Sequence, residues 1–226
     1  MELFYKGKTK DVYNLGDGLL LMKLKDDGTV NAKGEFDPGG NEVGITIEGM
    51  GKANLRLTEY FFRILKEHNI PTHFVSADID NNSMTVQSAN IIGQGIEVIC
   101  RFAAAGSFVR RYGSYINEGE ILDALIEFTL KDDERGDPPI TKETLNMLKI
   151  IDNTQYDEIV RLTKKIGRII KDEFNKKDAT LLDIKFEFGI KDNNIILIDE
   201  ISAGSMRVSK NGSILSPFDI INLILP

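Results

Sequence analysis

Two stretches near the C-terminal end, 181-LLDIKFEFG-189 and 195-IILIDEIS-202, carry the sharpest pattern in this 226-residue chain. Lys191-Asp192-Asn193-Asn194 lies between them and is rich in turn formers, so the pair reads as an antiparallel hairpin. On the first strand Asp183, Lys185 and Glu187 alternate with Ile184, Phe186 and Phe188. A period of two places the ionisable groups on one face and the apolar groups on the other. Asp199 and Glu200 follow on the partner strand, and at least one should join the charged face. Carboxylates beside a lysine on a sheet suit Mg²⁺ held against nucleotide phosphates, because Mg²⁺ takes oxygen ligands and usually one or two carboxylates. The same alternation also describes a strand with one solvated face.

Upstream of the hairpin, Tyr156 to Asn175 has Ile159, Leu162, Ile166, Ile169, Ile170 and Phe174 on one side, the spacing of an amphipathic helix. Asn54 to His68 repeats that spacing with Leu55, Leu57, Tyr60, Phe61, Ile64 and Leu65, and Pro71 closes it. Thr141 to Leu148 reads as a short helix capped by Thr141. The first third reads as strands around the Gly16-Asp17-Gly18 turn. Lys33 to Gly51, with six glycines, reads as a long mobile loop or an irregular hairpin. Thr72 to Phe108 gives three further strands, Gly119 to Phe128 is short and mixed, and Lys131 to Pro139 is a charged loop. The expected class is α+β, with a β-rich N-terminal lobe over 1–87 and a mixed lobe over 88–226.

Composition narrows the function. Hydrophobic residues make up 42% and charged residues 28%, ordinary for a globular chain. A net charge of −7 argues against a general nucleic-acid binder, since phosphate backbones are held by clustered Lys and Arg. One cysteine, Cys100, excludes an intramolecular disulfide and reads as a core residue. Two histidines, His68 and His73, make a histidine-built metal centre or a Ser-His-Asp triad a poor fit. No apolar run reaches membrane-spanning length and the start, MELFYKGKTK, lacks the apolar segment of a secretory signal. The expectation is a cytoplasmic protein. The apolar tail Phe218–Pro226 can pack on a partner, as in a homodimer, or on the chain's own core.

Three other stretches have polar chemistry. Lys6-Gly7-Lys8-Thr9-Lys10 puts three lysines and a glycine before a strand and could wrap a triphosphate, or could be a solvated segment. Arg101 to Arg111 (RFAAAGSFVRR) combines small residues, which let a backbone approach a ligand, with an arginine able to pair bidentately with phosphate or carboxylate. Ser107 can donate to the same group. Tight core packing with the arginines facing water is the other reading. Lys131 to Pro138 (KDDERGDP) alone reads as a charged surface loop.

Together, YKGKTKDVY, LKDD, RxxAAGS, LKDDERGDP, LLDIKFEFG and IDEIS stand in the order and spacing of the SAICAR synthetase family, from about residue 3 to about 207. The chain resembles that family over nearly its whole length. The resemblance implies a two-lobed fold related to the ATP-grasp group, with ATP between the lobes. It implies a ligase that joins the carboxylate of CAIR to the amine of L-aspartate, with ATP going to ADP and phosphate, in purine biosynthesis. Lys8 and Lys10 then lie near the ATP phosphates, and Glu187 and Asp199 hold Mg²⁺. Lys185 and Asp183 line the reaction centre with Lys131 and Asp137. Arg101, Ser107 and Arg207 meet CAIR, and Asp27 adds a polar group from the N-terminal loop.

Against the family pattern, Phe102 replaces an asparagine in RNxAAGS, and Ala203-Gly204 replaces Pro-Asp after DEIS. These departures point to the substrate end rather than the nucleotide end. A related ligase acting on another carboxylate and amine, or an ATP-binding protein without catalysis, are the alternatives.

Overall fold

The computed structural model describes residues 1–30 and 42–225. The first sheet is built from β1 (Glu2–Lys6), β2 (Lys10–Gly16) and β3 (Leu19–Leu24), with a small hairpin of β4 (Asp27–Val30) and β5 (Glu42–Thr46) beside it. Helix α1 (Met50–Glu67) leads to β6 (Phe74–Asp78) and β7 (Ser83–Gln87), which complete a five-stranded sheet in the order β1-β2-β3-β7-β6. The β2–β3 turn falls on Asp17 and Gly18, both with positive φ, as the Gly-Asp-Gly signal requires. Of the stretch 33–51, residues 33–41 lie outside the described part; the rest forms β5 and the start of α1.

The second sheet begins with β8 (Asn90–Ile91) and β9 (Ile96–Ala103). Helix α2 (Ser107–Tyr112), β10 (Ile121–Leu130), α3 (Lys142–Met147) and α4 (Asn153–Asn175) follow. β11 (Thr180–Lys191), β12 (Asn194–Ile198), β13 (Met206–Lys210), β14 (Ser213–Ile214) and α5 (Pro217–Ile224) complete the chain. The sheet runs β10-β9-β11-β13-β14, with β12 and β8 also on β11, and its pairings are antiparallel. β11 and β12 form the expected hairpin, pairing Glu187 with Ile198 and Lys191 with Asn194.

One face of this sheet packs on α4. Ile184, Phe186 and Phe188 bury there with Val98 and Cys100 of β9 and with Ile159, Leu162, Ile166, Ile170 and Phe174 of α4. Gly167 is where helix and sheet meet most closely: an added Cβ would sit 2.8 Å from the Cys100 sulfur. Cys100 is therefore a core residue, and burial pushes its thiol up to about 12. The apolar tail resolves on its own core, since Ile220, Ile221 and Ile224 of α5 are buried and α5 contacts α1.

Two helices start earlier than periodicity predicts. α4 begins at Asn153 because Asp152 and Gln155 form a reciprocal capping box. α1 begins at Met50 because the carboxylate of Asp26, far back in sequence, accepts from the backbone N–H groups of Gly49 and Gly51 at 3.0 and 2.8 Å. The stretch read as short and mixed is the ten-residue strand β10. Its register against β9 shifts between Ile121 and Leu125, and Ala124 has φ of 50°. That bulge breaks the alternation by which a strand is recognised.

Candidate functional site

The charged side of β11 faces a cleft of about 660 Å³, and the register explains who meets whom there. Cross-strand partners in an antiparallel pair share a face. Glu187 of β11 stands opposite Glu97 of β9, which stands opposite Thr129 of β10. Lys185 stands opposite Ile99 and then Glu127. Asp183 lies between Arg101 on one side and Arg207 of β13 on the other. The opposite wall comes from the β1–β2 connection with Lys8 and Lys10, and from Lys25 and Asp27 after β3. Lys131 and Asp137 close it from the loop after β10. All twelve residues singled out from the sequence line this one cleft.

At one end the groups form an acid–lysine cluster. The Lys10 ammonium donates to both Asp199 and Glu200. Lys131 Nζ donates to Glu187 Oε1 at 2.7 Å, and Lys185 Nζ to Glu97 Oε1 at 2.5 Å. Burial opposes a charge on Lys10, but the carboxylates of Asp199, Glu200 and Glu187 more than reverse this and raise its affinity for a proton. Lys131 and Lys185 behave likewise, Lys131 through Glu187 and Asp199 and Lys185 through Glu97 and Glu187. Burial would raise Asp199, yet Lys10 and Lys131 draw it far below the usual carboxylate range. Burial and then the charge of Asp199 raise Glu187 and Glu200. Like-charge repulsion among these half-buried carboxylates thus persists in spite of the lysines. Asp137 is also raised by burial, against the hydrogen bond it accepts from Asp132 N–H at 2.8 Å.

This donor set fits a magnesium ion bound with phosphate. Glu187 and Asp199 offer hard oxygen ligands, and a cation between them would relieve their repulsion. Among the described residues no group of three or more Asp, Glu, His or Cys is arranged to hold a metal, so the remaining ligands would be phosphate and water oxygens.

The other end is an arginine network. Arg101 is 2% exposed, and three of its five N–H donors are engaged. Nε reaches Glu127, Nη1 donates to Asp183 at 2.8 Å and Nη2 to Ser107 Oγ at 2.9 Å. Arg207 Nη1 donates to the same Asp183 at 3.0 Å, and Arg111 Nη2 to Glu127 at 2.6 Å. Gly106 makes room for this: its φ is 53°, and an added Cβ would fall 2.5 Å from the Arg207 guanidinium carbon. Between the two ends, Lys8 pairs with Asp133 at 2.7 Å, and Asp27 accepts from Thr46 Oγ1 at 3.0 Å. Asp27 lies at the start of β4, paired with Thr46 of β5.

The profile of the SAICAR synthetase family matches residues 3–214. The phosphoribosylaminoimidazole-succinocarboxamide synthase of Clostridium tetani is 55% identical over the full length of both chains. The chain belongs to the SAICAR synthetase family. The enzyme of the same name from Finegoldia magna is 36% identical, covering 92% of this chain and 85% of its own. A solved SAICAR synthetase in complex with ADP superposes with a TM-score of 0.82 at 31% identity, over 93% of this chain and 86% of that one. The α+β class expected from the sequence is therefore that of the SAICAR synthetases.

Membership sharpens the two departures from the family pattern. Phe102 is not a cleft residue: it is buried on the α4 side, with the Lys171 ammonium 4.7 Å from its ring centroid. Period two puts it opposite in direction to Arg101, so its divergence belongs to core packing and not to substrate contact. Ala203 is also buried, its N–H donating to Asn54 Oδ1 at 3.1 Å. Gly204 does line the cleft, and an added Cβ would meet only Ser202 Oγ, at 3.5 Å.

Sequence reading passed over Glu97 and Glu127. Glu97 was within reach, because Glu97, Ile99 and Arg101 alternate with Val98, Cys100 and Phe102 as the β11 residues do. Glu127 was hidden by the β10 bulge.

Proposed function

We propose that this chain catalyses ATP-dependent formation of the amide between the carboxylate of CAIR and the amine of L-aspartate, yielding SAICAR, ADP and phosphate in the cytoplasm. One observation carries the reading. A row of Glu187, Lys185 and Asp183 lines one cleft, from an acid–lysine cluster to an arginine network, in a chain 55% identical end to end to a synthase of that name. A carboxylate is a poor electrophile. Phosphorylation by ATP converts it to an acyl phosphate with a good leaving group, which the aspartate amine attacks. The difficulty is to collect several anions in one place, and the cleft answers it with fixed cations.

In this reading Lys8 and Lys10 face the ATP phosphates, and Glu187 and Asp199 hold Mg²⁺. Bound Mg²⁺ would neutralise phosphate charge and make the γ-phosphoryl group easier to transfer. Lys185 and Lys131 present ammonium groups to the phosphoryl oxygens and to the CAIR carboxylate as it attacks the γ-phosphoryl group. The lysines stay protonated because the neighbouring carboxylates hold them so. Asp137, whose carboxyl is raised by burial, is suited to take a proton from the attacking amine. Asp183 fixes Arg101 and Arg207 side by side, and these guanidinium groups with Ser107 receive the ribose phosphate. Asp27, at the mouth, contacts substrate.

Purified protein supplied with ATP, Mg²⁺ and CAIR should release ADP and form SAICAR only when L-aspartate is added. ATP hydrolysis indifferent to both substrates, or binding of ATP with no turnover, would overturn the assignment. The open space at Gly204 favours a second reading in one respect only, a changed carboxylate or amine. Turnover with CAIR only after Gly204→Asp would support it.

A further inference from the structure

Asp199 has a backbone that sequence does not announce. Its φ is 72°, in the left-handed region that residues with a Cβ seldom occupy and that costs of order 1 kcal/mol or more. Such a conformation persists where surrounding groups over-determine it. Here the surrounding group is His73. Its imidazole Nε2 lies 3.0 Å from the carbonyl oxygen of Asp199, and the side chain is buried.

His73 is held through its backbone as well as its ring. Thr72 and Leu197 form a parallel bridge, Leu197 N–H donates to the Pro71 carbonyl at 2.9 Å and His73 N–H to the Leu197 carbonyl at 3.0 Å. From the first sheet, Gln87 N–H donates to the His73 carbonyl at 2.7 Å. Phe62 of α1 packs on the imidazole with ring centroids 5.8 Å apart, and Phe62 in turn stacks on Phe74. The segment joining α1 to β6 is thus stitched to β12 through its backbone, and the His73 imidazole nitrogen meets the strained carbonyl.

We propose that His73 is a positioning residue for Asp199: its Nε2–H holds the left-handed backbone that points the Asp199 carboxylate toward Lys10 and the metal–nucleotide site. The inference rests on Asp199 serving as a metal ligand in the function proposed above. Groups that orient ligands from behind typically change metal affinity by about 10- to 100-fold when removed. His73 touches neither metal nor nucleotide in this scheme, so its effect passes through one hydrogen bond.

Reach separates this role from mere packing. The Gln side-chain nitrogen can occupy the place of Nε2, whereas the Asn nitrogen stops one bond short. Mn²⁺ binding in the presence of ADP, followed by electron paramagnetic resonance on wild type, His73→Gln and His73→Asn, should give a Gln variant within about threefold of wild type. The Asn variant should bind about 10-fold more weakly, with thermal midpoints of the two metal-free variants alike. Equal affinities for Asn and Gln would overturn the proposal, whether both match wild type or both fall with the thermal midpoint. Nitrogen NMR of the wild-type histidines tests it without any variant: a neutral His73 protonated at Nε2 is required, and protonation at Nδ1 alone refutes it. Asp199→Asn separates the two layers. If wild type and Asp199→Asn bind Mn²⁺ with ADP equally, the metal-ligand reading fails and this inference falls with it. If Asp199→Asn binds more weakly but the Gln and Asn variants do not differ, only this inference fails.

Discussion

The two faces of β11 come from the same nine residues and the same alternation, yet they are buried for opposite reasons. Ile184, Phe186 and Phe188 are covered by α4, where apolar area leaves water. Asp183, Lys185 and Glu187 are largely covered by other charges, and each has a partner of opposite sign. Alternation of charged and apolar residues normally marks a strand with one wet face. Here the charged face is partly withdrawn from bulk water, which strengthens each interaction and makes each unmatched charge costly. The apolar face stores stability, and the charged face gathers opposite charges along the cleft.

Substitutions should separate these two roles. Lys185→Met should lower kcat/KM for SAICAR formation by about 10³-fold or more, equivalent to about 4 kcal/mol of transition-state stabilisation. Steady-state kinetics on folded protein checks this, and a loss under tenfold would remove Lys185 from the chemistry. Phe188→Ala, one residue beyond Glu187 but facing α4, should cost about 3–5 kcal/mol in urea unfolding while kcat stays within about threefold. A large kcat loss there would mean that the faces are not independent.

Acid should find a seam between them. Burial, helped by the nearby Lys10 charge and opposed by Asp199 and its carbonyl, lowers His73 to about 4, below the usual value near 6.5. The fold therefore favours neutral His73, and its contribution is complete above pH ~6.5. It is lost as pH falls toward about 4, by at most about 3 kcal/mol. Urea midpoints measured from pH 7 to pH 5 should fall more steeply for wild type than for His73→Gln, and parallel slopes would contradict it. The smallest effect is expected outside both faces. Arg161→Ala, which removes an exposed i,i+3 pair with Glu158 on α4, should change stability by less than about 0.5 kcal/mol, as read by thermal unfolding.

Much of this was legible in the residues. Period two in LLDIKFEFG and period 3.6 in α1 and α4 fixed which side chains face inward, because those periods follow from backbone geometry alone. The hairpin, the Gly-Asp-Gly turn and the Thr141 cap were equally local, and the ordered motif blocks named the family. Other features depend on residues far apart in the chain. Asp26 caps α1 across more than twenty residues, Gly106 yields space to Arg207, and the pairing of β10 with β9 brings Glu127 to Arg101. A sequence motif cannot tell a substrate-facing residue from its neighbour on the other side, so Phe102 looked like part of the site until the strand's direction placed it against α4. The left-handed Asp199 and its tie to His73 were silent for the same reason. Local propensities record what a residue prefers, and here long-range hydrogen bonds hold one where it does not prefer to be.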